Sequence, residues 1–265
     1  IAIAAGSVFG AVAAIYLIGV LFFNFFMYPN SNIGTIDTSI KTPVPIQQEL
    51  DSLIENYSFT VKGQGLNAEF SSEDAGMSLD STKVTENALR SQNPWAWPYE
   101  VFLSHDNSHY LKDAITIDLL ADVLTAEVDT INASAAHPTN AYIQFVPDTA
   151  SFEIVPEVPG SILDATKVID KTTEGVFDLE KSIVLGDESL LEPTVLKDDA
   201  RLLKALDDAI SVLAVNPQLN LNGMSVYTID ASIIGPWVRI GEDFTVGFDP
   251  EAMSAWSDEI SKSFN

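Results

Sequence analysis

The first 28 residues, "IAIAAGSVFGAVAAIYLIGVLFFNFFMY", contain no charged side chain, and the first ionised one is Asp37. A helix of roughly 20 apolar residues matches the ~30 Å apolar thickness of a bilayer. The stretch is therefore expected to form a transmembrane helix. Phe22, Phe23, Phe25, Phe26 and Tyr28 gather at its C-terminal end, where aromatic rings sit at headgroup level, and Pro29 is a helix stop. The competing reading is a cleaved signal peptide. The apolar run exceeds the usual ~7–15-residue core of such a signal, and no small-x-small cleavage site follows it, which favours an uncleaved anchor. No Lys or Arg precedes Lys41, so charge bias assigns the anchor no orientation.

The rest of the chain carries all of the formal charge. Of the 265 residues of the whole chain 38 are acidic and 13 are Lys or Arg, a net charge of −25. A surface of that sign is repelled by phosphate backbones, so no nucleic-acid partner is expected. The absence of cysteine excludes disulfides, thiolate metal sites and cysteine nucleophiles from these residues. An exported domain without disulfides must hold together by its core alone, which suits a bacterial surface.

Hydrophobic periodicity places the main helices. Pro43 fits the first position of a helix that Thr42 can cap, with Ile46, Leu50, Leu53 and Ile54 on one face. Leu120, Val123, Leu124, Val128 and Ile131 form one stripe, and Leu202, Leu203, Leu206, Ile210 and Leu213 another. "YSFTVKGQGLNAEF" reads as a hairpin with a Gly-containing turn. "AYIQF", "SFEIV", "KSIVLG" and "FTVGF" supply further strands.

A strand, a corner, an aspartate and a helix recur in that order at "EFSSEDAGMSLDSTKV", "SFEIVPEVPGSILDATKV" and "RIGEDFTVGFDPEAM". Asp80, Asp164 and Asp249 stand where helix N-caps belong, because a carboxylate there accepts from the free amides of the first turn. The expected fold is therefore α+β: an N-terminal transmembrane helix followed by repeated strand-turn-helix modules with antiparallel sheets. The expected domains are an anchor at 1–28, an α+β domain at 29–192, and a second, partial module at 193–265.

Catalytic signals are sparse. His105 and His109 flank a turn-like Asp-Asn-Ser and lack a third ligand, so no metal site is expected. Serines are common, but none stands in a Gly-x-Ser-x-Gly elbow, and no phosphate-cradling glycine loop is present. Acid pairs such as Asp198–Asp199 or Asp207–Asp208 would serve a glycan hydrolase only across a cleft, and sequence neighbours on a helix do not face each other. No cofactor is implied. In "SQNPWAWPYEVF", Trp95, Trp97 and Tyr99 alternate, so an extended segment would put them on one face. Such a face suits stacking on a sugar ring, but Trp and Tyr dominate core area wherever they occur, so covering a core is the favoured reading.

Several stretches carry a resemblance: "NIGTIDTSIKT", "NAYIQFVPDTASFEIVPEVPGSILD", "VIDKTTEGVFDLEKSIVL" and "EPTVLKDD". Residues 30–200 are similar to the peptidoglycan-binding domain of Gram-positive cell-wall proteins. In that family the domain follows a membrane anchor and precedes an L,D-transpeptidase domain or a VanW-type domain. The segment from "YTIDASIIGPW" onward resembles a second wall-binding copy. The resemblance implies peptidoglycan as partner and a single-pass protein of the cell membrane with its C-terminal region outside; with such a partner, the candidate glycan contacts are the aromatic side chains Trp95, Trp97 and Tyr99. The family's transpeptidase uses a nucleophilic cysteine, and this chain has none. The expectation is thus a non-catalytic front part of such an enzyme. A stand-alone wall-binding spacer of VanW type and a carboxylate-based hydrolase are the alternatives.

Overall fold

A computed structural model describes residues 2–221 and 223–263, and the side chains of residues 9–220 and 223–262. The chain begins with α1 (Ala2–Phe22), then β1 (Ser31–Ile33), β2 (Ile36–Asp37), α2 (Pro43–Glu55), β3 (Ser58–Gly63), β4 (Leu66–Ser71), β5 (Met77–Leu79) and α3 (Ser81–Ser91). A 3-10 turn at Pro94–Ala96 leads into α4 (Trp97–Glu100), β6 (His105–Asp106), α5 (His109–Lys112), β7 (Ile115–Ile117) and α6 (Leu120–Asn132). Next come β8 (Tyr142–Val146), β9 (Ser151–Val155), α7 (Ala165–Phe177), β10 (Ser182–Val184) and α8 (Ala200–Leu213). The last stretch holds β11 (Gln218–Leu221), β12 (Met224–Thr228), α9 (Ala231–Ile234), β13 (Val238–Ile240), β14 (Val246–Phe248) and α10 (Pro250–Ser263).

These elements form two units. The first comprises Ile1–Ser134 with Leu163–Leu190, and the second Ala135–Ile162 with Leu191–Asn265. Residues 135–162 thus belong with the C-terminal part of the chain, where the sequence suggested a single break near residue 192.

The first unit is organised by the β3–β4 hairpin. Phe59 and Val61 alternate inward from β3, Leu66 and Phe70 from β4, and Phe59 faces Phe70 with ring centres 5.6 Å apart. The two strands join through Gln64 and Gly65, both at positive φ, the turn whose twist matches a hairpin. Strand β10 adds to β3 in parallel, and Leu120, Leu124 and Val128 of α6 with Val168 and Val176 of α7 close the core. A second core of this unit gathers Ile46 and Leu50 of α2, Val84 and Ala88 of α3, and Met27, Ile33 and Leu111.

The second unit has its own core. It is made by Phe152 of β9, Ala209 and Leu213 of α8, Ile229, Ile234, Trp237 and Val238. The β8–β9 and β13–β14 hairpins are separate two-stranded sheets. Helix α8 buries Leu202, Ala205, Ala209 and Leu213, while Leu203 and Ile210 are exposed. Its inward stripe is therefore set partly by alanines, which allow close approach to a facing element.

Two expectations about the fold are corrected. The molecule is a mixed α/β structure with ten α-helices among the described residues and small, mostly antiparallel sheets; two pairings, β1 with β6 and β3 with β10, are parallel. No helix among the described residues is long and apolar enough to cross a membrane. The side chains of the first eight residues of the apolar run lie outside the described ones. The C-terminal half of α1 packs against protein: Val20 and Phe23 are buried, Tyr16 Oη donates to the Trp95 carbonyl at 2.8 Å, and Trp97 Nε1 donates to the Tyr16 carbonyl at 3.1 Å. Just beyond it, Gln92 takes the Tyr28 amide at 2.7 Å and donates to the Phe26 carbonyl at 3.1 Å, while Tyr28 Oη donates to the Asn93 carbonyl at 2.6 Å.

The repeated strand-turn-helix modules are the second correction. After β4 an additional strand, β5, intervenes before α3, and the third copy is a hairpin, β13–β14, ahead of α10. The second copy is divided: β9 is in the second unit and α7 in the first. Similar local patterns thus serve different surroundings, because each encodes only a strand and a capped helix start.

Candidate functional site

The second unit carries adjoining depressions that together form a groove. Its central depression, of about 630 Å³, is lined by the start of β8, the Thr194–Val195 segment, the first turn of α8 and the Ile240–Phe244 turn. A depression of about 560 Å³ adjoins it and shares Arg201 and Phe244. A third, of about 320 Å³, shares Ile143 and Ile240 with the central one.

Each wall is fixed locally. Asn140 Oδ1 accepts from the amides of Thr194 at 2.8 Å and Val195 at 3.1 Å, and the Ala141 amide donates to the Val195 carbonyl at 3.0 Å. Asp199 is the N-cap of α8, accepting from the Arg201 amide at 2.8 Å. The same carboxylate takes Arg201 Nε at 3.1 Å and Nη2 at 2.7 Å. This two-point pairing holds the guanidinium flat and satisfies its charge. The Arg201 side-chain bonds are the main cause that lowers the Asp199 pKa to about 2.

Phe244 forms the opposite wall. Its φ is 63°, a left-handed conformation that a bulky residue rarely adopts. The turn is held by the Phe244 amide to the Gly241 carbonyl and the Gly241 amide to the Thr245 carbonyl, both 2.9 Å. Asp243 Oδ1 braces it by accepting from Thr245 Oγ1 at 2.6 Å and its amide at 3.1 Å; these bonds lower the Asp243 pKa, the side-chain bond most. Tyr142, 48% exposed, offers a further aromatic face in the central depression.

The groove thus presents Tyr142 and Phe244, amide and hydroxyl groups, Arg201 paired with Asp199, and further charged side chains that include Glu242, Lys204, Asp208 and Arg239. That combination suits a polar ligand with apolar ring faces. Asp199 and Asp243 are both held toward the ionised form, the opposite of the shift that makes a carboxyl a general acid.

Of the acid pairs singled out from sequence, Asp208 lines one depression and Asp199 holds Arg201 at its wall; the aromatic, capping and histidine residues singled out lie elsewhere. Trp95, Trp97 and Tyr99 fall on the 3-10 turn and α4 of the first unit rather than on an extended segment, so alternation does not put them on one face. Trp97 seats its ring where a Cβ at Gly19 would be. Trp95 and Tyr99 are 60% and 66% exposed.

Asp80 caps α3 by accepting from the Lys83 amide at 2.9 Å, and Asp164 caps α7 through the amides of Thr166 at 3.0 Å and Lys167 at 3.4 Å. Asp249 accepts from the Glu251 amide at 2.9 Å and the Ala252 amide at 3.2 Å at the start of α10, and pairs with Arg239 at 2.6 Å. Thr42 occupies the N-cap of α2 without a side-chain bond. His105 stacks on Tyr28 with ring centres 5.0 Å apart and contacts the Glu100 carbonyl at 2.9 Å, while His109 packs on Tyr110 at 3.9 Å. Among the described residues no group of three or more His, Asp or Glu is arranged to hold a metal ion.

Tyr142, Arg201 and Phe244 carry no spacing signal in the sequence. The one local clue is the turn chemistry of "GEDFTVG". No family model matches the chain, and no curated protein or solved structure is significantly similar to it. The likeness to wall-binding domains therefore rests on the quoted residues alone.

Proposed function

We propose that this chain is a non-catalytic, extracytoplasmic region that binds peptidoglycan, and that the second unit holds the polymer along its groove. The observation that carries this reading is the series of three adjoining depressions sharing Arg201 with Phe244 and Ile143 with Ile240. A polymer of rings and short peptides is large enough to occupy more than one of these depressions at once. The resemblance quoted above agrees in substrate class, and in that family such a region precedes a cross-linking enzyme of the L,D-transpeptidase type.

Co-sedimentation of the full chain with purified sacculi at physiological salt tests the reading. Retention is expected, with loss on Phe244→Ala and Tyr142→Ala. Failure of the parent chain to sediment, or retention unaffected by both substitutions, overturns it.

A further inference from the structure

The first unit has a surface of a different kind. Residues 1–36 contain no charged side chain, and within 91–104 Glu100 is the only one, in a chain of net charge −25. The structure brings these two uncharged stretches together: Tyr16 and Trp95 have ring centres 6.3 Å apart, and Phe23 and Trp97 6.0 Å apart. Glu100 is partly withdrawn and faces His105, with Oε2 3.8 Å from Nε2.

Most of what remains outward is apolar, with Asn24, Ser91, Asn93 and Ser104 as exposed uncharged polar residues. Phe9, Val12, Ile15 and Ile18 of α1 are exposed, and beside them Trp95, Tyr99 and Phe102 are 60%, 66% and 81% exposed. Isolated exposed apolar side chains are ordinary, but a continuous patch of large ones marks an interaction surface.

Charge selects among occupants. A second copy would bring two chains of −25 together, and an anionic partner is repelled as well. An uncharged apolar medium with a polar boundary meets no such penalty. Trp and Tyr prefer that boundary, where the ring is buried and the polar tip stays hydrated. We propose that Trp95, Tyr99 and Phe102, next to the exposed face of α1, form a lipid-contact surface that seats the first unit on a neutral membrane interface. The contact needs no crossing by α1. It leaves the groove of the second unit as the wall-polymer site and assigns Trp95 and Tyr99 to lipid instead of glycan.

The test uses the full chain with phosphatidylcholine vesicles carrying brominated acyl chains. Part of the tryptophan emission is expected to be quenched, and Trp95→Phe, a mild change at an exposed position, removes most of that quenching. Tyr99→Ser with Phe102→Ser is expected to weaken vesicle partitioning by about tenfold or more while the circular dichroism stays unchanged. Quenching that is unaltered by Trp95→Phe, or partitioning unaltered by the double substitution, overturns the proposal. A vesicle-independent dimer abolished by the double substitution would assign the patch to a second copy. Loss of sacculus retention by that variant, with vesicle binding intact, would return the aromatics to glycan. Either result overturns the lipid assignment.

Discussion

The guanidinium carbon of Arg201 lies 5.0 Å from the centre of the Phe244 ring, and the backbone beneath that ring is in the left-handed region, at φ 63°. Arg201 is held by Asp199 on one side and meets the ring on the other, so the pair is a built partition between two depressions of the groove. A left-handed conformation costs an L-residue with a Cβ roughly 1–2 kcal/mol, and the cation-π contact returns about 0.5–1 kcal/mol at an exposed site. Strain thus exceeds the local gain.

Phe244→Ala and Phe244→Gly separate those terms. Both lose the ring, and both are expected to lose sacculus retention. Alanine keeps the strain while glycine removes it, so Phe244→Gly is expected to be more stable than Phe244→Ala by about 1 kcal/mol. Denaturant unfolding of the two variants reads the difference, and equal stability would mean that the turn carries no strain.

Arg201→Lys keeps the charge and removes the planar fork. Lysine can neither pair with Asp199 at two points nor lie flat on Phe244. The expected result is weaker polymer retention and a rise of the Asp199 pKa from about 2 toward the ordinary carboxylate range, because the Arg201 side-chain bonds are the largest cause of its depression. Carboxyl-carbon NMR titration of Asp199 checks it.

Acid should loosen the groove before neutral or alkaline conditions do. Asp199, Asp243 and Asp249 all have lowered pKa values in the folded state, Asp199 to about 2. A carboxylate whose folded pKa lies below its unfolded one stabilises the fold fully above the unfolded value, near 4. That contribution falls away as pH drops from about 4 through the folded value. Protonation also relieves the repulsion of a −25 chain, which acts in the opposite direction. Hydrogen exchange of α8 and the β13–β14 turn separates the two: protection there is expected to fall between about pH 4 and pH 2. In Asp199→Asn, which retains a capping oxygen, the α8 share of that fall should shrink.

The elements that could be read from sequence are those specified by near neighbours. The β3–β4 hairpin follows from the alternation of Phe59 and Val61 and from the Gly63-Gln64-Gly65 turn; α6 follows from Leu120, Leu124 and Val128. Helix α8 shows the limit. Hydropathy ranks Leu203 and Ile210 above Ala205 and Ala209, yet the alanines are buried and the larger residues exposed. Which face of α8 turns inward was settled by how closely the facing strands approach, a property of residues more than 40 positions away such as Phe152. The same holds for the groove, whose Tyr142, Arg201 and Phe244 come from three distant segments. It holds too for the return of the chain to the first unit at Leu163, where the strand-corner-helix pattern runs on unbroken while its two halves join different cores. The leading apolar run was legible as a helix, but composition alone did not show that Tyr16, Gly19, Val20 and Phe23 face protein.

Gly19→Ala probes that last arrangement. In an exposed helix the substitution is favourable by about 1 kcal/mol. Here a Cβ at residue 19 meets the Trp97 ring edge-on. That ring is pinned by its own bond to the Tyr16 carbonyl at 3.1 Å, and it packs near Phe23. Overpacking a held aromatic side chain costs typically 1–3 kcal/mol, enough to outweigh the helix preference. Gly19→Ala is therefore expected to lower the stability of the first unit by about 1 kcal/mol net and to shift Trp97 emission to the red as the indole moves outward. Shortening the ring should relieve the collision: Gly19→Ala with Trp97→Phe is expected to be less destabilised than the two single changes together, a favourable coupling readable in a double-mutant cycle. Additive behaviour would show that α1 and the Trp97 ring do not share this contact in solution.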